Sequence, residues 1–203
     1  MVTGGASGLG LETSRALVAA GARVTLAVRN LAQGRASAAA FRAEYPQAHV
    51  SVAQLDLGDL GSVRRFASDW LGAGTALHIL VNNAAIMACP LQYTVQGWEA
   101  QFATNPMGHF ALSTGLLPAL QQAAASSGNA RVVCLSSTGH KITGVWAATA
   151  PELKGHGGLY LEDCNQGLPA EPSNRISGYS PHIVDTDAAR RLWAVSEALL
   201  AAA

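Results

Sequence analysis

The sequence predicts an α/β protein built on a parallel sheet, and three observations carry that reading. Strand-like and helix-like segments alternate from the N-terminus onward, the rhythm of βαβ units. Leu77 to Val81 is an apolar run, interrupted only by His78, of the kind found in strands buried on both faces. A glycine-rich loop, Thr3-Gly4-Gly5-Ala6-Ser7-Gly8-Leu9-Gly10, joins a strand stub to an amphipathic helix.

Each element follows from local pattern. Gly8 to Ala20 reads as a helix with Leu9, Ala16, Leu17 and Ala20 on one face. Arg23 to Val28 is the second strand, Leu31 to Glu44 a helix, and His49 to Leu55 the third strand. A helix around Leu60 to Leu71 leads to the fourth strand at Leu77 to Val81, then a long helix from about Trp98 to Gln121 and a fifth strand at Arg131 to Leu135. Pro106 sits inside that long helix, where it removes an N–H and should kink the axis. Beyond Ser136 the pattern turns irregular, with a short strand candidate at Gly158 to Leu161 and a Pro/Gly/Ser/Asn-rich loop through Tyr179. Asp185 caps a final helix in which Ala189, Leu192, Trp193, Ser196 and Leu200 share a face.

The 203 residues suffice for one core, since a chain of this size buries roughly 70% of its unfolded surface; residues 1–203 are therefore read as a single domain. Charged residues are only 13% and balance at 13 of each sign, without runs, so no nucleic-acid or membrane-surface footprint is present. A small-molecule partner is the expectation. Cys89, Cys134 and Cys164 show no metal-ligand spacing and read as reduced packing thiols, which points to a cytoplasmic setting and no metal. No apolar stretch approaches the roughly 20 residues needed to cross a bilayer, and no secretory leader is seen.

Between a strand and a helix, glycines let the backbone approach a pyrophosphate while the helix N-terminus offers free N–H groups and a positive dipole end. The spacing Thr3-Gly4-x-x-x-Gly8-x-Gly10 resembles the short-chain dehydrogenase/reductase family. Asp56-Leu57 after the third strand resembles that family's adenine-holding pair, and Asn82-Asn83-Ala84-Ala85 its Asn-Asn-Ala-Gly stretch. Asn105, in Thr104-Asn105-Pro106-Met107-Gly108-His109-Phe110, resembles the helix asparagine that orders the proton relay, and Ser137 the serine that hydrogen-bonds the substrate oxygen. His109 itself reads as a packed helix residue. The resemblance covers nearly the whole chain and is nearest the retinol-dehydrogenase-like and WW-domain-oxidoreductase-like branch.

The resemblance implies a Rossmann-like doubly wound parallel sheet in three α/β/α layers, with residues 1–137 as cofactor-binding part and 138–203 as the remnant of the substrate-binding part. It implies hydride transfer between a nicotinamide coenzyme and a carbonyl or alcohol. Thr3, Gly4, Ser7, Gly8, Leu9, Gly10, Arg29, Asp56, Leu57, Asn83, Ala84 and Ala85 would bind that coenzyme, with Ser137 and Asn105 catalytic. The second strand ends Val28-Arg29-Asn30 without the acid that accepts from a ribose 2′-OH. Arg29 pairs better with a 2′-phosphate, so NADP(H) is expected ahead of NAD(H).

One part of the pattern is missing. The family's chemistry uses a Tyr-x-x-x-Lys pair, in which the ammonium lowers the phenol's pKa from about 10. The residues four positions after Tyr45, Tyr93, Tyr160 and Tyr179 are His49, Gly97, Cys164 and Ile183. Lys141 and Lys154 have no tyrosine four places earlier. The sequence therefore reads as truncated in its first strand and as lacking an internal segment that would hold the tyrosine helix and the sixth strand. Impaired turnover is the expectation, with an inactive nucleotide-binding module as the alternative; His140, Tyr160 and Tyr179 are weak substitutes as acid. Apolar surface left uncovered by the missing helix favours low stability and self-association into a homo-oligomer.

Overall fold

Five strands, β1 (Val2–Thr3), β2 (Val24–Val28), β3 (Val50–Gln54), β4 (Ile79–Asn82) and β5 (Arg131–Cys134), pair in parallel in the order β3-β2-β1-β4-β5. The computed structural model describes residues 1–136, 140–171 and 178–203, the side chains of 140–144 apart. These residues fall into two compact units, Met1–Cys134 and Leu135–Ala203.

In the first unit the chain winds outward from β1 through β2 to β3, then returns to the other side of β1 as β4. The reversal between β1 and β4 creates the crevice where open α/β sheets take their ligands. Helices α1 (Gly8–Ala19) and α2 (Leu31–Glu44) pack together against β1, β2 and β3. Strand side chains alternate across the sheet, so Ala27 points away from Leu26 and Val28. It joins Leu55, Val63, Phe66, Leu80, Leu112 and Leu116 in a core beneath α3 (Leu60–Gly72) and α5 (His109–Gly115). Three layers result, as the α/β rhythm predicts.

Caps fix the helix starts. Asn30 Oδ1 accepts from Gln33 N–H at 3.1 Å and starts α2, and Asp59 Oδ1 accepts from Gly61 N–H at 2.8 Å and starts α3. The buried face of α1 is Gly10, Thr13, Ser14, Leu17 and Val18, while Leu9 and Ala16 are half-buried and Ala20 is exposed. The expected face was rotated because Thr13 and Ser14 are polar yet lie against the sheet.

The long helix after β4 is not continuous. A short α4 (Ala100–Phe102) runs into a π-helical turn at Ala103–Gly108, followed by α5 and α6 (Leu117–Ser127). Pro106 lies within the wide turn, as expected of a residue that lacks an N–H and whose ring pushes against the preceding turn. α6 stops at Gly128, whose φ of 72° is left-handed.

In the second unit, His140–Thr149 forms α7, a helix where irregular chain was expected. The strand candidate at Gly158 to Leu161 also differs: β6 (Leu161–Glu162) pairs antiparallel with β7 (Asn165–Gln166) in a separate two-stranded sheet. Positive φ at Asp163 and Cys164 makes the tight turn between them. Asp185 caps α8 (Thr186–Ala202) by accepting from Asp187 and Ala188 N–H, both at 2.9 Å. Of the apolar face expected there, only Ser196 is buried; Leu192 and Trp193 are 67% and 51% exposed. Among the described residues no helix is long and apolar enough to cross a membrane.

Candidate functional site

The loop from β1 to α1 needs glycine for two distinct reasons. Gly4 has φ +62°, a left-handed conformation that a side chain resists. A Cβ at Gly10 would overlap the Gly4 carbonyl oxygen and Asn83 Nδ2, so only glycine lets the first turn of α1 close on the loop. The first intrahelical bond is Leu11 N–H to Ser7 O at 3.1 Å. The N–H groups of Gly8, Leu9 and Gly10 precede it, at the positive end of the helix dipole.

This loop forms one end of an open cleft above the carboxyl ends of the strands. Gly4 and Ser7 line it, with Arg29 from the end of β2, Asp56 and Leu57 from the end of β3, and Ala84 and Ala85 after β4. Seven of the residues expected from sequence thus share one cleft. Asn30, Gln33, Ile86 and Thr104 line it as well. The cap at Asn30 and the run after Asn82 were the signals that could have found the first three; Thr104 had only its neighbour Asn105.

Charge in the cleft is uneven. Arg29 and Asn30 follow β2 and Gln33 stands in the first turn of α2, while the lining acid, Asp56, sits instead after β3. There its Oδ1 accepts from Gly58 N–H at 2.9 Å, while its own N–H donates to Ser62 Oγ at 3.0 Å, so the turn after β3 is locally closed.

Two expected site residues stand behind the cleft. Thr3 is fully buried, and its Oγ1 accepts from Asn83 N–H and Ala84 N–H, each at 2.9 Å. Asn83 Nδ2 returns a bond to Thr3 O at 2.9 Å. The wall after β4 is therefore fastened to β1 through Thr3.

Asn105 fastens the other end of that wall. Its Oδ1 accepts from Ile86 N–H at 3.0 Å and its Nδ2 donates to Ile86 O at 2.8 Å. Its carbonyl oxygen lies 2.8 Å from His109 Nδ1, and His109 Nε2 lies 2.9 Å from Thr3 Oγ1. Burial lowers the His109 pKa below 6.5, against a smaller raising effect of the bond to Asn105. His109 was expected to be packed, and it is 8% exposed.

Ser137 lies outside the described residues, as does the side chain of His140. Tyr160 and Tyr179 pack edge-to-face in the second unit with ring centres 5.8 Å apart. The geometry of the first unit can do one thing well: hold an extended ligand with an anionic centre at the α1 N-terminus and a second anionic or polar group near Arg29.

The short chain dehydrogenase family model matches residues 1–149. Mouse retinol dehydrogenase 12 is 43% identical over 142 residues, covering 70% of this chain and 44% of its own length. The chain spans about half the length of the curated relatives it matches. The crystal structure of an uncharacterised protein from Mycobacterium paratuberculosis superposes with a TM-score of 0.64 at 28% identity, covering 98% of this chain and 91% of that one. The NADPH-bound structure of a short chain oxidoreductase from Pseudomonas aeruginosa PAO1, described as containing an atypical catalytic centre, is 31% identical with a TM-score of 0.56 and covers 67% of this chain and 52% of that one.

Proposed function

The chain belongs to the short chain dehydrogenase family, and from that premise we propose that its Met1–Cys134 unit binds a nicotinamide dinucleotide, NADP(H) in preference to NAD(H). The observation that carries this is the cleft's two ends. Unpaired N–H groups at the start of α1 suit a diphosphate, and Arg29, Asn30 and Gln33 offer a cation and amides to a 2′-phosphate with no acid beside them at the end of β2. Gly10 lets the first turn of α1 close on Gly4 and Asn83 and so shapes the loop at that end.

Gly4, Ser7, Asp56, Leu57, Ala84 and Ala85 line the cleft, Thr3 and Asn83 support it from behind, and Gly8, Leu9 and Gly10, which do not line it, are assigned to the site through the N–H groups that open α1. The bound coenzyme would supply a hydride; this chain's residues supply position. Asn105 holds the cleft wall at Ile86, and Ser137 is read as the hydroxyl that steadies a carbonyl or alcohol oxygen.

Proton transfer is the weak step. No tyrosine in the sequence has a lysine four residues on, so the usual acid is missing and hydride transfer to a carbonyl would be slow. The same absence favours a second reading, a coenzyme-binding module without turnover. The Pseudomonas structure, which by its description holds NADPH beside an atypical catalytic centre, supports treating coenzyme binding and the catalytic set as separable.

A fluorescence titration with NADPH and NADH, followed by NADPH oxidation with aldehydes and retinal-like carbonyls, tests both readings. Saturable NADPH binding with slow oxidation is expected. Binding with no oxidation selects the module, and no binding by folded protein overturns both.

A further inference from the structure

His109 is engaged at both ring nitrogens, and the partners fix its proton. The Asn105 carbonyl oxygen, 2.8 Å from Nδ1, can only accept, so Nδ1 carries the hydrogen. Nε2 is then a bare lone pair 2.9 Å from Thr3 Oγ1 and is the nearer acceptor for the Thr3 hydroxyl hydrogen, ahead of the Val81 carbonyl oxygen at 3.3 Å. Thr3 Oγ1 meanwhile accepts from Asn83 and Ala84 N–H. The wall segment from Asn83 to Ile86 is thus held at one end by Thr3 and at the other by the Asn105 side chain.

His109 is the link that joins these two anchors. We propose that His109 is a positioning residue for the coenzyme cleft: a neutral imidazole that sets Thr3 and Asn105 in one register, so that Ala84, Ala85 and Ile86 present a fixed wall to the ligand. The proposal rests on the nucleotide-binding reading of that cleft. An apolar side chain of similar volume would fill the space but leave the Thr3 hydroxyl only its longer bond to Val81 O, at 3.3 Å, and take the ring donor from the Asn105 carbonyl. The lowered basicity of the buried ring keeps it in the form the two bonds require.

The test compares the parent with His109→Gln, which keeps a donor and an acceptor, and His109→Leu, which keeps neither. NADPH affinity and thermal unfolding are measured on the full chain, and imidazole nitrogen shifts are recorded by NMR on the parent. His109→Leu is expected to bind NADPH roughly tenfold more weakly, the loss of about one buried hydrogen bond, with His109→Gln close to the parent. Leucine binding as tightly as the parent, or glutamine as weakly as leucine, overturns the proposal. Should the leucine protein not fold, the nitrogen shifts decide: an Nδ1–H neutral ring is expected, and an Nε2–H ring overturns it. A parent that shows the Nδ1–H ring but binds neither coenzyme marks failure of the cleft reading, and the positioning role falls with it.

Discussion

Ala84 N–H donates to Thr3 Oγ1 at 2.9 Å across 81 residues of sequence, so the second residue of β1 holds the wall of the cleft. The same oxygen accepts from Asn83, and no water reaches a side chain that is fully buried.

Thr3→Val keeps the shape and removes the acceptor. Two partly buried N–H groups, of Asn83 and Ala84, then lose their partner, at a cost of about 1–3 kcal/mol in all. Chemical unfolding should show a loss of that order, and Thr3→Ser should recover most of it. Equal stability of the valine protein and the parent would contradict the arrangement.

Gly10→Ala places a Cβ into the Gly4 carbonyl oxygen and the Asn83 side-chain amide; the Gly4 N–H is bonded to Ala27 O and Asn83 Nδ2 to Thr3 O, so neither group is free to shift. Overpacking of this kind costs about 1–3 kcal/mol. Unfolding midpoint and NADPH affinity should fall together. Gly21→Ala makes a useful contrast: no atom lies within 4 Å of its Cβ position, and the φ of +80° makes any loss a backbone effect that leaves coenzyme binding alone.

Arg29→Ala removes the exposed cation at the β2 end of the cleft. A hydrogen bond to a charged group is worth about 1.5–3 kcal/mol. NADPH affinity should drop by roughly ten- to a hundredfold while NADH affinity barely changes. An equal loss for both coenzymes would place the 2′-phosphate elsewhere.

His109 gives stability a pH dependence of definite sign. Its folded-state pKa lies below 6.5, because burial disfavours the charged ring, so the unfolded chain takes up the proton first. Stability from this group is complete above pH 6.5 and declines as pH falls below that value. Unfolding curves between pH 7.5 and about 5 should show the decline in the parent and a shallower one in His109→Gln.

The first unit was largely legible because its signals are local. Apolar periodicity locates α1, α2 and α3, Pro106 announces a break in the long helix, and the glycine spacing marks the turn between β1 and α1. What escaped depends on distant partners. Thr13 and Ser14 are buried because α1 lies on the sheet, and His109 acquires its role from Thr3, 106 residues away. α7 and the β6–β7 hairpin escaped for another reason: Gly144 lies inside His140–Thr149, where glycine argues against a helix, and Cys164, which shares the positive-φ turn with Asp163, is not a usual turn residue. The face expected on α8 followed helical spacing correctly, yet spacing says nothing of whether a neighbour covers it.

Calorimetric titration of the folded chain with NADPH measures the central claim most directly. Saturable one-to-one binding, weakened by Arg29→Ala and by Gly10→Ala, is the predicted result. A folded protein that takes up neither NADPH nor NADH at millimolar concentration would contradict the account.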